Sequence, residues 1–380
     1  MRADVVIVGG GVQGITMALA AARKGLKPVL AERNQLAAGA SGNSYGIIHG
    51  GLRYLQTLDL ARWRRSRRAQ CWYLENYPQF VKPLSCIMPL YRGCFRSPIA
   101  FQAAGTLEAI LFKMLGDEPD LPRLSLIPAD EIAVRYPVPT ADLVGAAHWY
   151  DAAVTDVRRL LAAVADEAGL GAGSLLSNSE IIRIEMRDGR AVGVWVKDGP
   201  SGNETLIEAD MVINCTGSWS NQWTGRPAGP TTATLAFNLL FDLPFPGDSA
   251  LAVSEQPGRG RSFFLRPSAG KTYAGTYYRP APNAREPAPL EQDIREFVAA
   301  LDHALPGFGL AKAKVLAVMS GLLPDMDGSG RKLSPHDHVR IDDPPGVHTI
   351  VGGKLTTAPL LSFEVADRLW PQRSAKRLAA

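Results

Sequence analysis

Apolar positions fall into runs of two lengths along this chain, and their spacing changes character at several points. Val5-Val6-Ile7-Val8 is a short β-branched run without polar interruption, the pattern of a strand buried on both faces. Gly9-Gly10-Gly11-Val12-Gln13-Gly14 follows at once, then an Ala-rich helical stretch over Ile15–Arg23 that Gly25 stops. Pro28-Val29-Leu30-Ala31 predicts a second strand, ended by Glu32. Further on, the spacing predicts helices over Leu58–Tyr77, Ile99–Leu115, Ala129–Tyr136, Thr155–Ala168, Leu290–Leu305 and Leu360–Leu369. Strands are predicted at Pro83–Tyr91, Asp210–Asn214 and Val347–Val351. Ile181–Glu185 and Ala191–Val196 alternate around Asp188-Gly189, a hairpin signal. From Thr231 to Tyr278 the texture turns to short strands, at Leu235–Phe241, Ser262–Leu265 and Thr272–Tyr277. The connector Pro119–Pro128 is Pro-rich, and the tail from Pro371 is basic and expected to fray.

The opening strand, glycine loop, helix and second strand make a βαβ unit around G-x-G-x-x-G with an acid at the end of the second strand. Gly9 permits the tight turn, Gly11 lets backbone approach a pyrophosphate, and Gly14 lets helix and strand pack closely. The helix N-terminus offers free N–H groups and the positive end of its dipole. Glu32 suits a ribose hydroxyl. Dinucleotide binding is therefore the first functional expectation. Asn34–Leu52, rich in Gly, Ser and Ala, reads as a loop wrapped closely around a ligand.

Bulk properties narrow the rest. At 380 residues, two lobes are expected, and 46% hydrophobic with 21% charged residues is the balance of a globular protein. A net charge of +4 is too small to argue for nucleic acid, and fits an anionic substrate or a membrane surface. Cys71, Cys86, Cys94 and Cys215 form no metal-type cluster and read as free thiols in a reducing cytosol. No apolar run is long enough for a membrane span, and the first one already feeds the glycine loop, so no signal peptide is expected and the location is read as cytoplasmic. The helix Leu58–Tyr77 carries Arg62, Arg64, Arg65, Arg67 and Arg68 beside Trp63 and Trp72. A solvated face with inward-packed tryptophans is the plainer reading; peripheral contact with the inner face of a membrane is the alternative.

Four strings together resemble the FAD-dependent glycerol-3-phosphate dehydrogenases, within the D-amino-acid-oxidase-like flavoproteins. They are Gly9–Gly14, Ile48-His49-Gly50-Gly51-Leu52-Arg53-Tyr54-Leu55, Asn214-Cys215-Thr216-Gly217 and Gly352-Gly353-Lys354-Leu355-Thr356-Thr357. The sequence lacks the additional C-terminal helical domain of many such dehydrogenases. The resemblance implies an α/β protein, with a Rossmann-like FAD-binding domain interleaved with a mixed-sheet α+β substrate domain. The FAD-binding domain would comprise residues 1–83, 146–228 and 326–380, and the substrate domain residues 84–145 and 229–325. The cofactor would be FAD. Gly9, Gly11 and Gly14 would cradle its pyrophosphate, with Glu32 and Arg33 at the adenosine end. Ser41, Ser44, Gly50 and Gly51 would line the diphosphate and flavin, and Thr216 and Gly217 would close over the diphosphate. Gly353, Lys354, Leu355 and Thr356 would reach the pyrimidine end of the flavin, where a lysine stabilises the negative charge of the reduced ring. His49, Arg53, Tyr54 and Lys354 would act on a small anionic substrate, Arg53 by a bidentate fork.

The expected reaction is hydride removal from a CH–OH carbon, with His49, His336 or His338 as the base. The acceptor would be a quinone, oxygen or a carrier protein. Two features depart from the family: a Ser-Arg-Asp-Tyr/His pattern with a second basic position reads Ser334-Pro335-His336-Asp337-His338 here, and the phosphate-binding string loses its arginine. That string, Ser-Gly-Val-Arg-Pro-Leu in the family, reads Ser320-Gly321-Leu322-Leu323-Pro324-Asp325 here, with Leu323 in place of the phosphate-binding arginine. Arg266, Lys271 and Arg279 are candidates to compensate. Leu323 also keeps an amine or amino-acid oxidase, or a non-catalytic flavoprotein subunit, in view as alternatives.

Overall fold

The computed structural model describes residues 1–94, 96–115, 120–221, 232–281, 288–325 and 337–373. The β-branched runs at Val5–Val8, Pro28–Ala31, Val212–Asn214 and Val347–Val351 come together as neighbours in a six-stranded sheet, paired in parallel. Leu175–Leu176 adds in parallel at one edge, and His338–Arg340 closes the other edge antiparallel. The uninterrupted apolar pattern has a direct cause, since both faces are covered. Ile7, Leu30, Ile213 and Ile350 pack with Ile15, Leu160, Leu161 and Val365 from the helices Val12–Arg23, Val157–Glu167 and Ala358–Leu369. Their neighbours Val6, Val29, Val212 and Val347 face the other way, against Val194, Val196 and Ile207.

Those last residues belong to a four-stranded sheet ordered Arg2–Ala3, Glu204–Ala209, Arg190–Asp198, Ser179–Arg187. Of the 181–215 stretch, then, only Val212–Asn214 enters the parallel sheet. The hairpin turns at Asp188-Gly189, both with positive φ, as the Asp-Gly pair predicts.

A nine-stranded sheet forms the second layer system. Its order is Val315–Asp325, Thr232–Phe241, Lys271–Pro280, Arg259–Ser268, Ala250–Gln256, Val81–Tyr91, Leu143–Val154 and Ile47–Ile48, with Ser125–Ile127 also paired to Leu143–Val154. Alternate residues choose opposite faces. Phe237, Phe241, Leu251, Phe263 and Leu265 pack against Phe297 and Leu301 of the helix Glu291–Ala304. Cys86, Ala250 and Ala252 turn to the other face, where Trp63, Phe101 and Phe112 of the helices Leu60–Asn76 and Pro98–Leu115 cover them. The remainder of that second face is met by the glycine-rich loop. Tyr45 donates its hydroxyl to the carbonyls of Phe264 and Tyr273, Asn238 donates its amide to the Asn43 carbonyl, and a Cβ on Gly321 would lie 2.4 Å from Ala40. The loop is thus held between the two sheet systems.

Some elements differ from the sequence pattern. Ala250–Gln256 and Val315–Asp325 are strands that the pattern does not mark, because Ala, Leu and Met suit helices equally and only cross-strand pairing decides. The predicted Leu58–Tyr77 helix is split. A short helix, Leu52–Leu55, precedes Leu60–Asn76, which Asp59 caps by accepting the Arg62 N–H at 3.1 Å. Both tryptophans of the longer helix pack inward. Trp63 is buried, and Trp72 meets Tyr73, Tyr77 and Phe363 edge-on. The four cysteines form no disulfide among the described residues, and no helix among them is long and apolar enough to cross a membrane.

One of the five arginines of that helix is buried. Arg67 gives Nε and Nη2 to Glu108 Oε1 at 3.0 and 2.6 Å, and the Trp63 indole donates to the same oxygen at 2.9 Å. Gln70 accepts from Arg67 and donates to the Ile48 carbonyl. The guanidinium lies against Gly50, where any Cβ would sit 2.1 Å from it. Removing Glu108 leaves that charge stranded in a dry interior. Glu108→Ala is expected to cost about 3–5 kcal/mol in urea unfolding, whereas the Arg67→Met/Glu108→Met pair should cost less than Glu108→Ala alone. Equal stability of Glu108→Ala and wild type would contradict the role given to this pair.

Candidate active site

The glycine loop sits at the carboxyl end of Val5–Val8, and sterics there are severe. Gly9 has φ of +104°, and a Cβ on it would fall 2.8 Å from the Cys215 carbonyl oxygen. A Cβ on Gly14 would fall 1.9 Å from the Gly9 carbonyl oxygen. No side chain larger than hydrogen fits either place. Gly11 begins the helix without a side-chain cap, and a Cβ there would approach Ser41 Oγ at 3.1 Å. Ser41 Oγ accepts the Val12 N–H at 2.9 Å. Glu32 bridges two backbone groups, accepting from Gly10 N–H at 2.6 Å and Asn34 N–H at 2.8 Å. Arg33 lies over the Trp219 ring, 4.5 Å from its centroid. Thr216 binds back to Asn214 Oδ1, and Gly217 takes a positive φ, so the Asn214–Gly217 turn lies directly against Gly9.

Three buried side-chain oxygens in these stretches have no partner: Gln13 Oε1, Ser44 Oγ and Ser218 Oγ. Each comes from a different one of the converging segments. A Cβ on Gly353 would meet nothing within 4 Å. Unpaired buried side-chain oxygens, a helix start facing the glycine loop, and glycine where backbone must be approached are what an extended dinucleotide requires. The residues present fit FAD.

Next to the loop, the second string gathers polar groups. Asp151 is buried in the strand Leu143–Val154 and engages three partners in little space. Its Oδ2 meets His49 Nδ1 at 2.9 Å and the Trp149 indole at 3.3 Å, and its Oδ1 accepts the Gly50 N–H at 2.8 Å. Burial alone would raise its pKa. The His49 charge and hydrogen bond, the Gly50 N–H and Arg67 more than offset that, and hold the carboxyl below its ordinary value of 3.8. His49 is half exposed at the side chain, with Phe264 5.6 Å away. Its backbone N–H reaches Thr356 Oγ1 at 3.4 Å, and Tyr73 donates to the Leu355 carbonyl at 3.0 Å, so Leu355 and Thr356 are tied to the same wall.

Gly51, with φ of +86°, starts the short helix that carries Arg53 and Tyr54. The Tyr54 hydroxyl accepts from Arg53 Nη2 at 3.0 Å and Lys354 Nζ at 3.3 Å. Partial burial opposes its ionisation, but the two cations prevail and lower its pKa from 10.0. His49, Arg53, Tyr54 and Lys354 are therefore brought into one neighbourhood, though Arg53–Tyr54 and Lys354 stand 300 residues apart in the chain. Of the other candidate bases, His338 sits on the edge strand of the parallel sheet, and His336 lies outside the described residues.

Two members of this site escape the sequence reading. Asp151 is the more telling, and its signal is visible in hindsight: it is the lone acid in the apolar strand segment Ala146–Val154. Phe264 carries no such mark.

A βαβ glycine loop, a largely antiparallel second sheet and polar side chains gathered beside the loop fit a nucleotide-dependent oxidoreductase. The family description "FAD dependent oxidoreductase" matches residues 4–368, and the chain belongs to that family. FAD is accordingly its cofactor. The aerobic glycerol-3-phosphate dehydrogenase of Bacillus subtilis is 27% identical over 96% of this chain and 66% of its own length. Glycerol-3-phosphate dehydrogenase 1 of Mycobacterium bovis is 29% identical over 96% of this chain and 72% of its own. The glycerol-3-phosphate dehydrogenase of Bacillus halodurans, solved with FAD, superposes with a TM-score of 0.76 at 20% identity, over all of this chain and 66% of that one. An L-proline dehydrogenase from P. horikoshii gives 0.72 at 18% identity, over 99% and 95%. The chain thus spans about two thirds of the length of these glycerol-3-phosphate dehydrogenases.

Because the folded pKa of Asp151 is depressed, its charged form contributes stability above pH 3.8, and the contribution disappears as pH falls through the lower folded value. Asp151→Asn is expected to lose about 1.5–3 kcal/mol at pH 7. The gap to wild type should narrow in chemical unfolding as pH is lowered below the ordinary carboxylate range. A gap that widens toward acid would contradict the assigned ion pair.

Proposed function

We propose that the protein oxidises a CH–OH carbon of a small anionic polyol or hydroxy acid, with a glycerol-3-phosphate-like compound as the leading substrate. The observation that carries this reading is the His49–Asp151 pair on the same segment as Arg53 and Tyr54, with Lys354 brought onto the Tyr54 hydroxyl. The named relatives support the same substrate class.

FAD, when bound, supplies the hydride acceptor. The rest falls to side chains of this chain. Asp151 accepts from Nδ1 and fixes the tautomer of His49, which leaves Nε2 with its lone pair toward the cleft. Nε2 takes the hydroxyl proton as the carbinol carbon is oxidised, and the buried carboxylate stabilises the imidazolium so formed. Arg53 binds the negative charge of the substrate, Lys354 serves the pyrimidine end of the flavin, and the two hold the Tyr54 hydroxyl polarised between them. In the cofactor cradle we assign Gly9, Gly11, Gly14, Glu32, Arg33, Ser41, Ser44, Gly50, Gly51, Thr216, Gly217, Gly353, Leu355 and Thr356. Electrons then leave to a quinone, oxygen or a carrier protein. The exposed Arg64 and Arg68 give the helix Leu60–Asn76 a basic outer face that suits an acceptor at an anionic surface.

Anaerobic mixing of the yellow holoenzyme with glycerol 3-phosphate tests the reading. Bleaching is expected with the wild type. His49→Gln should retain the flavin yet bleach about 10²- to 10⁴-fold more slowly. Undiminished bleaching by His49→Gln would remove the base. Bleaching by amino acids but by no hydroxy compound would replace the reading with an amine oxidase, which the apolar Leu323 favours.

A further inference from the structure

If the substrate is an anion of charge −2, one arginine is too little for it, and Leu323 offers none. Leu322 faces the helix-covered core, so alternation turns Leu323, like Gly321, to the opposite face of the sheet, the side that meets the glycine-rich loop. The site-facing strand position is therefore apolar. Cations elsewhere on the antiparallel sheet do not make up the loss. Lys271 is paired with Asp242, and Arg279 with Asp293 and Glu296. Arg266 lies against the stacked Tyr45 and Tyr273 rings, with Nη2 on the Tyr45 carbonyl, where it braces the loop.

A different arginine stands at the cleft. Arg96 lies on the connector between Val81–Tyr91 and Pro98–Leu115, and its Nη1 is anchored on Ser262 Oγ at 2.9 Å. Ser262 and Phe264 share one face of their strand, about 7 Å apart along it, and Phe264 is the ring beside His49. Arg53 stands four residues beyond His49, on the short helix that Gly51 starts. Burial, and then the like charge of Arg53, lower the pKa of Arg96. Among the described residues, Arg53 and Arg96 each bond a hydroxyl group and form no ion pair with a carboxylate. Two neighbouring guanidinium groups repel one another unless an anion lies between them.

We propose that Arg96 is the second cation for the substrate's anionic group, acting opposite Arg53 and taking the place of the arginine absent at Leu323. This specificity role rests on the function proposed above. A phosphate monoester receives one fork from each guanidinium, and its dianionic charge matches the pair. A carboxylate monoanion leaves one guanidinium uncompensated, so the pair selects for the phosphate.

The test uses holoenzyme and two readouts. Calorimetric titration with inorganic phosphate, at constant ionic strength, reads the anion site directly. Arg96→Gln is expected to weaken phosphate binding about 10- to 100-fold, with Arg96→Lys recovering part of the loss. KM for glycerol 3-phosphate should rise by a similar factor in Arg96→Gln, with kcat nearly unchanged and turnover of uncharged glycerol unaffected. Phosphate binding that is absent from the wild type, or equal in wild type and Arg96→Gln, overturns the proposal. If Arg96→Gln loses phosphate binding while no polyol phosphate bleaches wild-type flavin, the anion site stands and the substrate reading falls. If glycerol 3-phosphate bleaches both proteins with the same KM, the substrate reading stands and Arg96 has no part in it.

Discussion

A single buried carboxylate fixes the geometry on which the cleft depends. Asp151 sits within an apolar strand of the nine-stranded sheet, and a charge there is tolerable only if it is fully engaged. It is engaged by the Gly50 N–H, the Trp149 indole and His49. Two of those partners lie on the loop that leads from the nucleotide cradle. The carboxylate therefore pins the loop to the antiparallel sheet and sets the orientation of the imidazole in the same act. Behind the loop, Arg67 and Glu108 form a second buried pair that presses on Gly50 from the helical side. The loop is clamped between two charge networks, and only glycine at position 50 leaves room for both.

This clamp explains why the cofactor and substrate regions can be read separately and still work as one. The cradle is built from backbone, with Gly9, Gly14 and the Cys215–Gly217 turn in mutual contact. The proposed substrate wall is built from side chains on different elements: His49 and Arg53 on the loop and short helix, Lys354 beyond the last parallel strand, and Phe264 on the antiparallel sheet. The Thr356–His49 and Leu355–Tyr73 bonds join the two sets. A small change in the substrate wall, such as leucine at position 323, can then leave the cradle intact.

What the sequence made legible follows from the same division. The glycine loop and parallel strands were readable because their constraints are local: a Cβ cannot exist at Gly14, and a strand covered on both faces must be apolar along its whole length. The Gly-Gly-Lys-Leu-Thr-Thr and His-Gly-Gly-Leu-Arg-Tyr strings were readable for a related reason, since glycines there bring backbone close to its neighbours. Long-range partners left no such trace. Asp151 is 102 residues from His49, and nothing near either residue announces the other. Arg67 looks in sequence like its solvated neighbours Arg64 and Arg68, and only the distant Glu108 sets it apart. Ala250–Gln256 and Val315–Asp325 became strands through pairing with distant segments, against an ambiguous local preference. Arg96 stands on a connector, where local pattern carries the least information.

The claim at the centre is that the bond broken is the carbon–hydrogen bond of a carbinol, within reach of His49. The most direct measurement is the rate of anaerobic flavin bleaching by glycerol 3-phosphate carrying deuterium at its secondary carbinol carbon, compared with the protium compound. The account predicts bleaching that is several-fold slower with deuterium. Equal rates measured in single turnovers with chemistry limiting, or no bleaching with either compound, would contradict it.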